Sequence, residues 1–263
     1  MRFQTSSYGV NFDFVPRHIH QTWQSTELPA AWGAFQSGWQ AQHPEWEYTL
    51  WTDADNRRLI ADRYPWFLST YDSYPRDIQR VDAAKYFILH AYGGVYLDMD
   101  TECLRPIDPL IEDGGLVVSR TPDGVIDGAF LASPPAHAFW DTVFHQLQHP
   151  SLLARIVRFI PGGSASTVLL TTGPQMLRLA TRRYRRGATE GITVLAPEAV
   201  SSRSWLRRKQ GFPNVAAYLH HHHADSWLSE KELRLHKHFN IHTLRLIWLA
   251  LILVLIGFVS WLT

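Results

Sequence analysis

The chain contains a single cysteine, Cys103, among its 263 residues. One thiol cannot form an internal disulfide, which excludes a small secreted scaffold held together by disulfides. An excess of charge is also lacking, since 25 basic and 24 acidic residues give a net charge of +1, and we expect no broad nucleic-acid surface. The first ten residues contain no apolar run, so we expect no cleaved secretory peptide.

Long apolar runs are lacking except at 246–262, where the sequence reads LIWLALILVLIGFVSWL. This run carries no charge and is long enough, at helical rise, to cross most of a hydrocarbon core. We therefore predict a transmembrane helix at 246–262, a basic juxtamembrane segment at 236–245 and one α/β domain at 1–235. The 46% apolar content is sufficient for a sizeable core in a domain of this length.

Basic residues are clustered at one place within the predicted domain. The cluster consists of Arg182, Arg183, Arg185 and Arg186. It is typical of a solvated helix face, and the alternative is contact with an anionic lipid head group.

The stretch 80–100 reads RVDAAKYFILHAYGGVYLDMD and carries the clearest chemical pattern. Its spacing predicts a helix that ends at Gly93-Gly94, followed by a buried strand. Asp98 and Asp100 alternate with apolar residues, so in a strand both carboxylates would lie on one face. Two carboxylates suit Mn²⁺ or Mg²⁺, which take further ligands from water and substrate phosphates. Alone, an Asp-x-Asp triplet is more often a solvated surface pair.

Strands and helices alternate in the remaining pattern, which predicts a Rossmann-like half followed by a second group of strands. The predicted strands are 18–23, 48–51, 116–119, 129–132, 193–195 and 216–221. The predicted helices are 30–42, 56–64, 136–148 and 174–186.

Four motifs in order resemble glycosyltransferase family 32, the DxD sugar-nucleotide transferases, and more loosely the large clostridial glucosylating toxins. They are VPRHIHQTW at 15–23, the block at 82–100, TGP at 172–174 and the segment at 220–227. Within the family, the chain is most similar to the fungal mannosyl-inositolphosphoceramide synthase branch. The resemblance implies a GT-A type α/β fold with a Rossmann-like, mixed central sheet, and retention of anomeric configuration.

The resemblance also implies donor-binding residues. Trp23 would stack on the nucleobase, and Asp82 and Lys85 would hydrogen-bond the donor sugar. Ser226 and Trp227 would close over the diphosphate. Without the resemblance, Trp23 could be a core tryptophan, and Asp82 and Lys85 could form a plain helix ion pair. Lys85 stands where the family often has arginine, so a bidentate contact is lost.

The metal would be held by Asp98 and Asp100, with Asp98 also contacting the donor. His221 and His223 share a face in an extended segment, so one of them could be a further ligand, and the sequence does not decide which. Asp127 lies where the family presents a polar group near the transferred sugar, the alternative being a turn residue. Asp82 and Asp127 are therefore the predicted catalytic residues. No carboxylate nucleophile stands in a recognisable motif, which favours a front-face displacement.

We therefore predict a metal-dependent retaining transferase that moves mannose from GDP-mannose to a membrane lipid such as inositol phosphoceramide. The expected partners are the nucleotide-sugar donor, the lipid acceptor, the bilayer and a regulatory membrane subunit, but no nucleic acid. The alternatives are a UDP- or GDP-sugar transferase acting on glycan or protein, and a catalytically silent, membrane-tethered GT-A partner.

The expected location is a single-pass position in the Golgi or another endomembrane. Basic residues before 246–262 favour a cytoplasmic N-terminal side, whereas the resemblance implies a domain in the Golgi lumen.

Overall fold

The computed structural model describes residues 14–122, 124–157, 164–187, 191–202, 216–224 and 226–229. The strands are β1 His18–Thr22, β2 Glu47–Trp51, β3 Gly94–Leu97, β4 Thr101–Cys103, β5 Leu116–Arg120, β6 Ile126–Ser133, β7 Ile192–Leu195, β8 Val200–Ser202 and β9 Leu219–His221. The helices are α1 Ala30–Gln42, α2 Asp53–Arg63, α3 Pro65–Asp72, α4 Asp77–Tyr92, α5 Asp108–Ile111, α6 Phe139–Gln148, α7 Leu152–Val157, α8 Ser164–Thr171 and α9 Pro174–Arg185.

Two sheets organise these elements. The main sheet has the strand order β2-β1-β3-β6-β5-β7, in which β1, β2 and β3 are parallel and β6 is antiparallel to both of its neighbours. The smaller sheet has the order β4-β9-β8. The mixed central sheet predicted from the sequence is therefore present.

The main sheet is covered on both faces because its strands alternate between two hydrophobic cores. Tyr96 and Leu131 face a core formed with α2, α3, α4, α6 and α9. Val95, Leu97 and Phe130 face a second core, to which α1 and α5 contribute. A strand that is apolar on both sides is typical of an α/β fold.

Local sequence explains where several elements begin and end. Thr52 caps α2 in a capping box with Asp55, and Pro65 opens α3 at a position where its missing N–H costs nothing. α4 ends at Gly93, whose φ is +66°, and Gly94 follows at +87°. Both glycines are needed because a side chain at either would meet backbone atoms of a neighbouring segment within 3 Å.

The fold class predicted from the sequence needs one correction. Among the helices in the described ranges, none is long and apolar enough to cross a membrane. The described residues have the α/β fold of the GT-A type, without the C-terminal transmembrane helix that the prediction included. The predicted span at 246–262 and the basic segment at 236–245 lie outside the described residues.

Candidate active site

Several of the predicted site residues meet at one edge of the main sheet, where β1, β2 and β3 end together. Trp23 follows β1, Asp98 follows β3, and Asp127 lies at the start of antiparallel β6. The Asp98 backbone N–H donates to the Ala129 carbonyl at 3.1 Å, which joins the end of β3 to β6. Open α/β sheets bind ligands at the carboxyl ends of their strands, so this edge is the candidate active site.

The DxD triplet forms a turn, and its prediction as a strand is wrong. β3 ends at Leu97, and the Asp98 carbonyl accepts from the Thr101 N–H at 3.1 Å and from its hydroxyl at 2.6 Å. Met99 is buried within this turn. The turn still brings carboxylate oxygens of Asp98 and Asp100 close to the same imidazole.

The structure distinguishes the histidines of the run at 220–223. β9 pairs antiparallel with β4 in a register that sets His221 opposite Thr101, next to the DxD turn. Nε2 of His221 lies 3.3 Å from an oxygen of Asp100, and its Nδ1 lies 3.3 Å from an oxygen of Asp127. The His223 ring packs on the His221 ring with centroids 3.8 Å apart. His221 is therefore the histidine between the two carboxylates.

Charges in this cluster stabilise one another. Burial alone would lower the pKa of His221, but Asp127 and Asp100 outweigh it and hold that pKa well above its usual value. The pKa values of Asp127 and Asp100 are lowered, because the interactions with His221 outweigh burial. Burial raises the pKa of Asp98 to about 6, although the Lys85 ammonium opposes this shift. The carboxylates therefore depend on one lysine and one histidine for charge balance.

Among the residues that the structure describes, two groups of side chains could hold a divalent cation. Asp98, Asp100 and His221 form one group, and Asp127, His221 and His223 form the other, with ligand atoms within 4.8 Å of one another in each. Carboxylate and imidazole donors fit Mn²⁺, and Mg²⁺ through the carboxylates. Asp127, which is outside the first group, contacts Nδ1 of His221 and leaves Nε2 facing Asp100. Carboxylates commonly orient metal-binding histidines in this way.

Asp82 and Lys85 form a buried ion pair beside this cluster. Their charged atoms are 2.8 Å apart, and Lys85 Nζ lies 3.9 Å from an oxygen of Asp98. The side chains of Lys85 and Asp82 are only 5% and 9% exposed, so this helix ion pair is buried. The Thr172 hydroxyl donates to the second oxygen of Asp82 at 3.1 Å. The TGP motif is thereby connected to the helix that carries Asp82.

Trp23 lies just beyond the end of β1, partly exposed. Its Nε1 is buried and has no hydrogen-bond partner in the part of the chain that the structure describes. The Trp32 ring stands edge-on to Trp23 with centroids 6.4 Å apart, and Phe35 follows 5.8 Å from Trp32. Sequence reasoning missed both α1 aromatics, although their helical spacing is a signal that could have identified them.

A second set of missed contacts fixes the DxD turn to the histidine segment. An Asp100 oxygen accepts from the Ala224 N–H at 2.8 Å, and the Asp100 carbonyl accepts from the His222 N–H at 3.0 Å. The His222 ring meets Glu102 at 2.9 Å and stacks on Phe35 at 4.7 Å. These contacts join residues more than 100 positions apart, and no local pattern predicts them.

The remaining predicted donor residues lie at the end of the described chain. Ser226 is exposed. The Trp227 carbonyl accepts from Arg76 at 2.7 Å, and the Trp227 ring lies 5.4 Å from the same guanidinium. Asp225, from the same motif, is outside the described residues. The segment after the histidines is thus tied to the beginning of α4.

The fold and the carboxylate turn at its sheet edge define a glycosyltransferase domain of the GT-A type. A solved structure with this fold is the ligand-free glycosyltransferase domain from the YGT toxin. The similarity covers 70% of this chain and 80% of that one, with a TM-score of 0.50 and 9% identity. At this identity the likeness supports the fold alone.

A family model matches part of the chain. Residues 29–115 match the model described as the glycosyltransferase sugar-binding region containing DXD motif. The chain therefore contains the sugar-binding region of the DXD glycosyltransferases, and both the family resemblance and the enzyme class predicted from the motifs are confirmed.

Two curated relatives are fungal. One, inositol phosphoceramide mannosyltransferase 3 of Schizosaccharomyces pombe, is 37% identical over 194 residues, which cover 70% of this chain and 51% of the relative. Another, mannosyl phosphorylinositol ceramide synthase CSH1 of Saccharomyces cerevisiae, is 34% identical over 184 residues, or 70% of this chain and 47% of the relative. The chain thus spans about half the length of these relatives.

Proposed function

We propose that this protein transfers mannose from GDP-mannose to an inositol phosphoceramide acceptor in a metal-dependent reaction. The observation that carries the proposal is the group formed by Asp98, Asp100 and His221 at the carboxyl ends of the parallel strands. The names of the fungal relatives support mannose and the lipid acceptor. Location in the Golgi or another endomembrane remains a prediction.

Several of the predicted residues have a role in this proposal. Asp98, Asp100 and His221 would hold the cation, which requires His221 to lose the proton on Nε2, and Asp127 would orient His221 through its Nδ1 contact. The bound cation would neutralise the diphosphate of the leaving nucleotide. Trp23, partly exposed at the end of β1, offers an aromatic face for the base.

Lys85 places a positive charge between the DxD turn and Asp82, on the donor-sugar side of the site. A front-face displacement, in which the acceptor hydroxyl attacks from the side of the departing diphosphate, gives retention of configuration. A sugar ester trapped on Asp127 or another carboxylate would contradict this course.

The deciding experiment is calorimetric titration of the full chain with GDP-mannose, UDP-glucose and UDP-galactose, each with and without Mn²⁺. We expect GDP-mannose to bind only with the metal. Asp100→Asn should weaken that binding at least about 100-fold, because it removes a charged ligand. Asp72→Asn, an exposed carboxylate paired with Arg57, is the matched control and should leave binding unchanged.

The other outcomes are equally informative. Metal-dependent binding of a UDP-sugar would keep the enzyme class and replace the donor. Binding of none of the three donors by a folded chain would favour the catalytically silent GT-A partner.

A further inference from the structure

The short helix α7 presents an apolar surface to solvent. Leu152 is 71% exposed, Leu153 44% and Ile156 52%, whereas Ala154 is buried and attaches the helix to the domain. Single exposed apolar residues are common on protein surfaces, but three large ones within five residues form a patch. Such a patch costs solubility unless it has a partner.

The position of α7 connects this patch to the candidate active site. α7 packs on α8, whose last residue, Thr171, accepts a hydrogen bond from Gln79 at 2.8 Å. The next residue, Thr172, donates to Asp82 in the buried ion pair. One helix therefore separates the exposed leucines from the residues that we place at the donor sugar.

The charge around α7 indicates the kind of partner. The helix carries the exposed Arg155 and no acidic residue. α9, which packs on α8, carries three further exposed arginines, Arg182, Arg183 and Arg185, and the exposed Arg186 follows it. Arginines beside exposed leucine and isoleucine are typical of segments that lie in the interface of an anionic membrane.

We propose that α7 docks on the surface of a bilayer that contains anionic lipid. Leu152, Leu153 and Ile156 enter the head-group region, and Arg155 contacts lipid phosphates. The proposal rests on the proposed lipid acceptor, because an inositol phosphoceramide keeps its head group at the membrane surface. Docking through α7 brings that surface within one helix of Asp82 and limits transfer to acceptors held in the membrane.

A fluorophore placed on α7 reports docking independently of turnover and of any other membrane-binding segment of the full chain. Leu153→Cys is labelled with an environment-sensitive dye in a Cys103→Ser background, which leaves one thiol. Leu104→Cys is the matched control, because Leu104 is 42% exposed and lies after β4. The probe is vesicles of phosphatidylcholine, alone or with about one third phosphatidylserine.

We expect a blue shift at position 153 with the anionic vesicles, a smaller one with phosphatidylcholine alone, and none at position 104. No shift at 153, or equal shifts at both positions, would overturn the proposal. A shift that grows with protein concentration without vesicles would also overturn it, because a second copy would then cover the patch. GDP-mannose binding, measured on the same samples, reports separately on the proposed function.

Transfer assays provide the second readout. Leu152→Ser combined with Ile156→Ser should lower transfer to vesicle-embedded inositol phosphoceramide about tenfold, since two apolar side chains no longer enter the membrane. Transfer to a soluble inositol phosphate should be unchanged. An equal loss with both acceptors would contradict docking and indicate a defect in the donor site.

Discussion

The buried ion pair between Asp82 and Lys85 makes a sharp prediction about stability. Lys85→Met removes the ammonium that lies 2.8 Å from Asp82 and 3.9 Å from Asp98. Asp82 would keep its hydrogen bond from Thr172 but would lose its only charged neighbour at contact distance in the described chain. Removing one partner of a buried pair leaves an uncompensated charge and costs about 3 to 5 kcal/mol in free energy of unfolding.

Urea unfolding, followed by tryptophan fluorescence and circular dichroism, measures this loss. The double variant Asp82→Asn/Lys85→Met should recover at least about 1 kcal/mol relative to Lys85→Met, because the carboxylate that needed the cation is also gone. Arg57→Met is the matched control. It breaks a bidentate pair with Asp72 on the protein surface and should change unfolding little.

A loss below about 1 kcal/mol for Lys85→Met would refute the reasoning, since that is the value of a solvated ion pair. A double variant that is less stable than Lys85→Met would also refute it. Asp82 would then be stabilised mainly by groups other than the lysine.

Three further predictions concern Gly94, Gly33 and His20. Gly94→Ala should cost at least about 2 kcal/mol in urea unfolding, because φ is +87° and the new Cβ would lie 2.5 Å from the His18 carbonyl oxygen. Gly33→Ala, in α1 with no atom within 4 Å of the new Cβ, should instead stabilise by about 0.5 to 1 kcal/mol, and a loss there would contradict the placement of α1. Burial and the His18 charge lower the pKa of His20 from 6.5 to about 3. Between these pH values the unfolded chain binds one more proton than the folded chain, so the free energy of unfolding falls as the pH drops below 6.5. From pH 7 to pH 5 this loss is about 2 kcal/mol and should be absent in His20→Gln; equal pH dependence of unfolding in both proteins would show that His20 is not buried in its neutral form.

Patterns that depend on near neighbours predicted the fold well. α1 was predicted at 30–42 and is observed there, and the α4 to β3 connection turns at Gly93 and Gly94 as expected. Boundaries set by tertiary contacts were less accurate. The helix predicted to begin at 136 begins at Phe139, and the strand predicted at 129–132 extends over the whole of β6.

The details of the site could not be predicted because distant segments determine them. Period-two alternation treats His221 and His223 as equivalent, but the chain leaves the strand after His221 and turns at His223, where φ is +49°. Pairing of β9 with β4 therefore selects the histidine that reaches Asp100. Likewise, helical spacing predicts the pair of Asp82 with Lys85 but not its burial, which depends on contacts with residues far along the chain.

Stability alone does not explain why so many charged groups lie together at this edge of the sheet. The cluster consists of Asp82, Lys85, Asp98, Asp100, Asp127 and His221. Buried ion pairs contribute little net stability, and well-packed apolar residues of similar volume often serve a fold equally well or better. A cluster with more carboxylates than cationic side chains is instead suited to a ligand that brings positive charge. A divalent cation meets that requirement, which supports the metal-dependent reaction that we propose.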